Sequence, residues 1–301
     1  MKSVLVTGAT GFVGRHALDS LVKRNYKVYA TFSEKKPTIQ SKNIFWHHVN
    51  LHEAAAVESL LQETRPSHLL HLAWYAKPGE FWASPLNLQW LTSSIHLLNT
   101  FIRMDGQRAV FVGSCAEYDW SYSSCKEFFT PCKPETLYGT AKYALYLLTE
   151  AMAKQQQVSL AWGRLFYLFG ADEYPQRLVP AAINSLINQK NFQVKNGNQV
   201  RDFMYVRDVA DALVTLLDTE VNGPVNIASG KPVAIRELMS LIAHKLQDTR
   251  LIQYQDDGSS DAPHNILTAD VTRLLTEVKW QPQYTLDAAL DETISWWSNV
   301  T

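Results

Sequence analysis

The octapeptide TGATGFVG, residues 7–14, decides the fold of this chain. It follows the apolar run VLV of residues 4–6 and carries Gly8, Gly11 and Gly14 at three-residue intervals. A glycine-rich turn between a buried strand and a helix lets the backbone approach a phosphate, and the helix N-terminus supplies unpaired N–H groups. An ordinary tight turn has the same spacing, so the remaining sequence has to distinguish the two interpretations.

Composition limits the class of protein. A chain of 301 residues, 46% hydrophobic and 19% charged, predicts a soluble globular protein with one large domain or a domain with a lobe. The net charge of −1 argues against nucleic acid and anionic membranes as partners. No apolar run approaches the ~20 residues of a membrane span and no cleavable signal precedes the first strand, so we expect a cytoplasmic protein. The three cysteines predict reduced thiols and no structural metal.

Short apolar runs alternate with amphipathic stretches over the first two thirds of the chain. The runs predicted as strands are SVLVT (3–7), KVYATF (27–32), IFWHHV (44–49), HLLHLA (68–73), RAVFVG (108–113) and SLAWGRL (159–165). Helices are predicted near 12–24, 52–64, 85–104 and 135–156. This alternation predicts an α/β fold with a doubly wound parallel sheet, whose first strand–helix turn carries the glycines where such folds bind a dinucleotide. Frequent prolines from about residue 171 predict a smaller, interleaved C-terminal lobe.

A second motif, ETLYGTAKYALYLL at residues 135–148, places Tyr138 and Lys142 four residues apart on one face of a helix. A neighbouring ammonium favours the phenolate and lowers the pKa of a tyrosine, which suits the pair to acid–base chemistry. An exposed Tyr/Lys pair on the surface is the alternative. Ser114, at the end of a predicted strand, is either a ligand contact or an ordinary turn or cap residue.

Four motifs in this order resemble one family: TGATGFVG, Ser114 after the fifth strand, YGTAK at 138–142 and RDFMYVRDVADAL at 201–213. The chain is similar to the extended short-chain dehydrogenases/reductases, and within them to the nucleotide-sugar epimerases, dehydratases and 4-keto-sugar reductases. The resemblance implies a Rossmann-like NAD(P)-binding domain over residues 1–170 and a mainly substrate-binding lobe over 171–301, interleaved with the sheet. It also implies a homodimer formed through the helices near 85–104 and 135–156.

The resemblance gives each catalytic residue a role. Tyr138 exchanges a proton with the sugar hydroxyl or ketone, and Ser114 hydrogen-bonds the reacting oxygen. Lys142 holds the nicotinamide ribose and lowers the pKa of Tyr138. Ser114 is assigned by counting back four residues from Tyr118, which stands where the family has its VYG tyrosine.

The implied cofactor site begins at the glycine-rich turn and follows the ends of the first strands. Its residues are Gly8, Thr10, Gly11, Phe12, Val13, Gly14, Ser33, Lys35, Asn50, Leu51, Leu72, Ala73, Trp74, Tyr138 and Lys142. NADP(H) is favoured over NAD(H), because Phe32 ends the second strand where an NAD site has an acidic residue. Ser33, Lys35 and Lys36 then offer donors to a 2′-phosphate. The carboxylate of Glu34 argues against NADP(H), because it would repel a 2′-phosphate.

The implied nucleotide-sugar contacts are Trp74, Ser114, Cys115, Tyr167, Arg177 and Arg201. Arg201 matches an arginine that meets the substrate diphosphate, and Arg177 falls where relatives carry a basic residue or a histidine. The alternative for both is a surface arginine. A second diphosphate arginine before Asp270 is missing and Tyr167 replaces a frequent asparagine, so the sugar stays undefined. Aromatic residues within 73–85 either stack on a sugar or cap the core.

The stretch SCAEYD, residues 114–119, bears on the reaction. Dehydratases of the family carry a carboxyl pair directly after the catalytic Ser/Thr, where this chain has Cys115 and Ala116. Glu117 is one residue further on, and on an extended segment this shift directs a side chain to the opposite face. The sequence therefore predicts NADPH-dependent reduction of a nucleotide-linked 4-keto-6-deoxyhexose at C4. NAD-dependent epimerisation is the alternative, and a non-catalytic NADP(H) sensor is the third hypothesis.

Overall fold

A seven-stranded sheet, parallel throughout, forms the centre of the molecule in the computed structural model, which describes residues 2–34, 37, 39, 41–255 and 265–300. In spatial order its strands are β11 (Gly223–Ile227), β7 (Ser159–Leu165), β5 (Arg108–Ser114), β4 (His68–His71), β1 (Ser3–Thr7), β2 (Lys27–Phe32) and β3 (Ile44–His48). All six predicted strands lie in this sheet. The predicted α/β fold with a doubly wound parallel sheet is confirmed.

Helices cover both faces of the sheet, whose central strands β1, β4 and β5 are almost entirely buried. On one face lie α1 (Phe12–Lys23) and α6 (Val206–Asp218). On the other face lie α2 (Ala54–Thr64), α3 (Leu86–Arg103) and α4 (Leu137–Gln156). The four predicted helices are confirmed, with bounds that differ by one or two residues. Within the described ranges, no helix is both long enough and apolar enough to cross a bilayer.

A smaller lobe with its own apolar core follows the sheet. Its strands are β12 (Pro232–Ala234), β10 (Val200–Tyr205), β14 (Ile266–Ala269) and β6 (Ser124–Cys125), with β8 (Tyr167–Phe169) beside β10, and the separate pair β9 (Phe192–Val194) and β13 (Ile252–Tyr254). Its helices are α5 (Leu178–Ile187), α7 (Ile235–Lys245) and α9 (Leu286–Val300), while α8 (Thr272–Thr276) packs near β11. Because α6 and β11 join the large sheet, the chain beyond residue 170 contributes to both cores.

The order of the strands reverses between β1 and β4. The chain proceeds from β1 through β2 to β3 on one side, and from β4 through β5 and β7 to β11 on the other. Thr7 at the end of β1 is paired with His71 at the end of β4, and Ser114 ends β5 on the same edge. Open α/β sheets bind ligands at such a reversal, outside the carboxyl ends of the strands.

The glycine-rich turn fits into this position only because two of its residues lack a side chain. Gly8 has φ +67°, and a Cβ there would lie 2.7 Å from the backbone nitrogen of Ala73. A Cβ on Gly14 would lie 2.0 Å from the carbonyl oxygen of Gly8. The first turn of α1 therefore packs directly on backbone, which brings the helix N-terminus to the end of β4.

This close packing predicts unequal effects of alanine at two glycines of the turn. Gly14→Ala places its methyl group against rigid backbone, and we expect it to lower the free energy of unfolding by at least ~2 kcal/mol. Gly11→Ala is the matched control, because Gly11 has φ −75° and its Cβ would lie 3.2 Å from the oxygen of Gly8. Urea denaturation measures both. Equal losses in the two variants would contradict this account of the turn.

Candidate active site

Ser114 stands at the junction of β5 and a short 3-10 turn, Cys115–Glu117. Its hydroxyl oxygen accepts a hydrogen bond from the backbone N–H of Ala116 at 3.2 Å. Ser114 also acts on the phenol of Tyr138, whose pKa it lowers. The structure shows that the serine caps the turn, and its contact with a ligand stays a prediction.

Tyr138 reaches Ser114 because α4 begins close to the 3-10 turn. Thr136 caps the helix by accepting from the N–H of Gly139 at 3.1 Å. A Cβ on Gly139 would lie 2.3 Å from the carbonyl oxygen of Ala116, so only a glycine allows this approach. The sequence YG at positions 138–139 thus combines the reactive phenol with the residue that lets it come near.

The phenol of Tyr138 lies in an aromatic chamber. Its ring packs edge-on against Phe81 at 4.9 Å and Trp82 at 5.7 Å, and its backbone N–H donates to the oxygen of Trp82 at 3.1 Å. Burial raises the pKa of Tyr138 well above 10, while the hydrogen bond from Ser114 and the charge of Arg177 lower it. The expectation of a lowered pKa was therefore wrong, because desolvation outweighs the favourable charges.

Lys142 is buried one helical turn further along α4. Its ammonium donates to the carbonyl oxygen of Val112 at 2.8 Å and lies 3.8 Å from the ring centroid of Trp74. Burial lowers the pKa of Lys142 to about 7, and the charge of Glu117 raises it. The Tyr/Lys pair is not an exposed surface pair, and the lysine is close to its titration point at neutral pH.

A polar chain under the lysine joins the ends of β1 and β4. The hydroxyl of Thr7 is 2.7 Å from Nδ1 of His71, and Nε2 of His71 is 2.8 Å from the hydroxyl of Ser94. Burial lowers the pKa of His71 to about 3, so its ring is neutral. Sequence analysis missed this histidine, although a polar residue that ends the buried strand HLLH was a usable signal.

The aromatic side chains of the loop after β4 pack around the second motif. The indole N–H of Trp74 donates to Asn87 Oδ1 at 2.9 Å, which holds its ring against Lys142. Phe81 is buried and belongs to the packing around Tyr138. Trp82 is 37% exposed and packs edge-on against Trp120 and Tyr138. Stacking of these rings on a sugar stays a prediction.

Arg201 is a buried residue rather than a surface one. Its guanidinium donates to the hydroxyl of Tyr167 at 3.0 Å, to the side-chain oxygen of Gln199 at 2.9 Å and to two backbone carbonyls. Its charge also lowers the pKa of the Cys115 thiol. These acceptors are neutral, and no described carboxylate pairs with Arg201, so its positive charge is free to attract an anion.

Arg177 approaches the site from the start of α5. Its guanidinium lies over the ring of Phe81 at 5.1 Å and donates to the oxygen of Ala76 at 3.5 Å. Its charge lowers the pKa of both Tyr138 and the nearby Glu173. Burial nevertheless raises the pKa of Glu173 to about 8, and its Oε2 has no hydrogen-bond partner. Sequence analysis missed Glu173, because nothing local marks an acidic loop residue as buried.

A sequence model of the NAD dependent epimerase/dehydratase family matches residues 4–228, which is most of the chain. The chain belongs to this family. The family assignment confirms the predicted relationship to the extended short-chain dehydrogenases/reductases, and the protein is an enzyme of the nucleotide-sugar epimerase/dehydratase type. The third hypothesis, a sensor without chemistry, is set aside on this ground.

Proteins of known name are similar to between 78% and 100% of this chain. UDP-glucuronic acid decarboxylase 1 from Danio rerio is 26% identical over 99% of this chain and 73% of that protein. The dTDP-6-deoxy-L-talose 4-dehydrogenase (NAD(+)) from Aggregatibacter actinomycetemcomitans is 23% identical over 78% of this chain and 87% of its own length. The solved structure of UDP-N-acetylglucosamine 4-epimerase from Methanobrevibacter ruminantium M1 has a TM-score of 0.89 at 24% identity, covering 100% of this chain and 99% of its own, and shows the same fold.

The turn at the start of α1 fits the dinucleotide that defines this family. The helix N-cap is Gly11, with no side chain to satisfy the N–H groups of the first turn, so the N–H groups of Phe12 and Val13 are free to bind a diphosphate. Thr10 is exposed beside them. Leu51 and Ala73 are buried and Leu72 half-buried at the adjoining strand ends.

The adenosine end of the predicted cofactor site has fewer free donors than expected. Asn50 donates to the carboxylate of Glu53 at 2.8 Å and accepts from the N–H of His52 at 3.1 Å, so its amide is engaged locally. The carbonyl of Ser33 lies 3.2 Å from Nε2 of His48, which also packs near the ring of Phe32 at 5.2 Å. Lys35 and Lys36 lie outside the described residues.

The structure corrects the argument about Glu117. The segment after Ser114 is a 3-10 turn rather than an extended strand. The rule that successive side chains point to opposite faces therefore does not apply to it. The carboxylate of Glu117 points into the protein, where it accepts from the backbone N–H of Ser114 at 2.7 Å and from Arg164 at 2.7 Å. Glu117 is turned away from a ligand because its oxygens have internal partners.

The buried lysine predicts an effect on stability with a definite sign. Between pH 7 and 10.5 the unfolded chain binds a proton that folded Lys142 does not, so the cost of burying this lysine falls as pH rises. We expect Lys142→Met to raise the free energy of unfolding at pH 7 by on the order of 2 kcal/mol, a gain that shrinks toward pH 10.

Urea denaturation between pH 6.5 and 10 measures this gain. The control is Lys154→Met, on the same helix with its side chain 72% exposed, for which we expect no such pH dependence. A destabilised Lys142→Met protein at pH 7 would show that the lysine does not carry the stated burial penalty.

Proposed function

We propose that this enzyme uses NADPH to reduce the C4 ketone of a nucleotide-linked 4-keto-6-deoxyhexose. The observation that carries the proposal is the close approach of the Tyr138 end of α4 to the turn after Ser114, beside buried Lys142, in a site where Cys115 and Ala116 replace the carboxyl pair of a dehydratase. This arrangement supplies a proton donor and an anchor for a carbonyl oxygen. It supplies no second acid or base for the elimination of water.

Tyr138, Ser114 and Lys142 each have a separate role in the proposed reduction. A bound nicotinamide would supply the hydride that adds to the carbonyl carbon. Tyr138 donates its phenolic proton to the carbonyl oxygen, which becomes the new hydroxyl group, and Ser114 holds that oxygen by a hydrogen bond. Lys142 binds the cofactor ribose next to the phenol. The raised pKa of Tyr138 keeps it protonated at neutral pH, which is the state a reductase needs.

The described residues that directly follow Ser114 do not supply the groups that elimination and nucleophilic chemistry require. Burial raises the pKa of the Cys115 thiol to about 12, so at neutral pH it is neither a base nor a thiolate nucleophile. Ala116 has no functional group, and both oxygens of Glu117 are hydrogen-bonded inside the protein. Transfer of a hydride and a proton is therefore the reaction that these side chains support.

The cationic side of the pocket supports a nucleotide-linked substrate. Arg201 and Arg177 bring two positive charges toward the site from the smaller lobe, and neither charge is neutralised by a described carboxylate within ion-pair distance. A sugar diphosphate offers matching negative charge. The printed name of the talose dehydrogenase relative describes chemistry at position 4 of a dTDP-linked 6-deoxy sugar, which agrees with this choice of substrate class.

The preference for NADPH rests on the end of β2. Phe32 occupies the last position of this strand, so a carboxylate that would repel a 2′-phosphate is missing there. Ser33 follows with a hydroxyl group. The talose relative is named for NAD(+), so NAD(H) is the competing cofactor.

NAD-dependent 4-epimerisation is the second candidate function. The fold is shared with a 4-epimerase over the whole chain, and the same Ser114, Tyr138 and Lys142 set can serve both reactions. An epimerase keeps its NAD bound throughout the reaction, and the end of β2 has Phe32 where an NAD site normally has an acidic residue. Reduction is therefore our first choice.

A panel of nucleotide-linked 4-keto-6-deoxy sugars, each with NADPH or NADH, tests the proposal. We expect one mole of NADPH to be oxidised per mole of alcohol formed, with tighter binding of NADPH than NADH by fluorescence titration. Tyr138→Phe is expected to lower kcat by ~10²- to 10⁴-fold with nearly unchanged cofactor affinity, because only the proton donor is removed. Interconversion of epimers without net oxidation of cofactor would establish the epimerase instead.

We also propose that the enzyme is a homodimer formed through α3 and α4. These two helices pack together on one face of the sheet. Leu88 on α3 is 53% exposed, and Leu147 and Leu148 on α4 are 47% and 48% exposed. Adjacent exposed leucines on two neighbouring helices form an apolar surface that a second copy of the chain would cover.

Charge placed on this surface tests the dimer. Leu148→Glu is expected to weaken self-association by at least ~10-fold, because it would bury an unpaired carboxylate at the interface. Leu275→Glu, on α8 with a similar exposure of 45%, is the matched control and should leave association unchanged. Analytical ultracentrifugation at micromolar concentration measures both. A monomeric wild-type protein would refute the proposal.

A further inference from the structure

A buried carboxylate lies directly beneath the catalytic serine. Glu117 is 0% exposed. Its Oε1 accepts from the backbone N–H of Ser114 at 2.7 Å and from the indole N–H of Trp162 at 3.0 Å, and its Oε2 accepts from Arg164 at 2.7 Å. A Cβ on Gly113 would lie 2.2 Å from Oε1, so β5 makes room for this carboxylate immediately before the serine.

Arg164 holds the carboxylate from below. It is itself buried, donates to Sγ of Cys132 at 3.3 Å, and lies over the rings of Tyr118 at 4.5 Å and Tyr146 at 5.4 Å. A buried ion pair is often no more stabilising than apolar side chains of the same volume. We therefore expect the Glu117–Arg164 pair to position neighbouring groups rather than to stabilise the core.

We propose that Glu117 is a positioning residue for the reduction: clamped by Arg164 and Trp162, its carboxylate fixes the main chain of Ser114 and supplies the negative charge that faces Lys142. This inference rests on the proposed function for its kinetic test. Glu117 does not touch the reacting atoms. It acts by orienting the serine hydroxyl and by favouring the ammonium form of the lysine.

The surroundings of Lys142 support the second part of this role. His71 faces it from β4 and is neutral, Val112 offers a carbonyl from β5, and Tyr138 on its own helix is a protonated phenol. Among the groups that act on the lysine, Glu117 is the one that raises its pKa. Without the charge of Glu117, burial would lower the pKa of Lys142 further, so the lysine would lose its proton at a lower pH.

Two double variants separate the hydrogen bond from the charge. Glu117→Gln/Arg164→Met and Glu117→Met/Arg164→Met both remove the ion pair, so neither leaves a buried charge unpaired. The glutamine oxygen can still accept from the N–H of Ser114, whereas methionine cannot. We expect kcat for the keto sugar to be ~10- to 100-fold lower in the methionine variant than in the glutamine variant, with similar KM, because a small displacement of an anchoring group slows the reaction.

A Ser114→Ala background distinguishes positioning from a general structural effect. If Glu117 acts through the serine, the difference in kcat between the glutamine and methionine variants disappears once the hydroxyl is removed. A difference that persists, or equal kcat values in the serine background, would overturn the proposal. Cys132→Ala perturbs the far side of Arg164 without touching Glu117, and it should retain the wild-type kcat.

The charge has a separate readout that needs no sugar. The dissociation constant of NADPH or NADH, measured by fluorescence against pH, reports the loss of the Lys142 proton. We expect the alkaline part of this pH dependence to lie ~1 pH unit lower in Glu117→Gln/Arg164→Met than in the wild type. An unchanged pH dependence would overturn the proposal. If the methionine variant does not fold, this binding measurement alone decides between the two outcomes. Wild-type protein that reduces no keto sugar would refute the proposed function instead.

Discussion

The parallel pairing of β1 with β4 is the constraint on which the rest of this molecule depends. The strand order reverses at this pair, so the connections leave in opposite directions and open a crevice at the strand ends. Two polar residues, Thr7 and His71, meet at the floor of the crevice. The glycine-rich turn closes over one side of it, and the 3-10 turn after β5 forms the other side.

Burial sets the chemical state of the groups in this crevice. Desolvation is the largest cause of the pKa shift for Tyr138, Lys142, His71 and Cys115, and in each case it favours the neutral form. A phenol that stays protonated suits proton donation. Lys142 differs from the other three groups because its pKa falls near neutral pH. The carboxylate of Glu117 raises that pKa.

Much of the fold and part of the site could be predicted from local sequence. Short apolar runs that alternate with amphipathic helical stretches predict the strands of a parallel sheet, and all six predicted strands were correct. The four-residue spacing of Tyr138 and Lys142 correctly predicted a shared helical face. It gave no measure of burial, and the predicted pKa of Tyr138 was therefore wrong. The orientation of Glu117 was argued from an extended backbone, which the serine cap converts into a 3-10 turn.

The sequence by itself determined the order of the elements, the glycine turn and the shared helix of Tyr138 and Lys142, because steric restrictions and side-chain periodicity act between near neighbours. Tertiary structure decided which alternatives hold: that Ser114 caps a 3-10 turn, and that Arg201 is buried. The partners that decide these outcomes are distant in the chain. Glu117 meets Arg164 across 47 residues, and Arg201 meets Tyr167 across 34. The cost of burying a charge depends on all the segments that surround it, and only the folded chain brings those segments together.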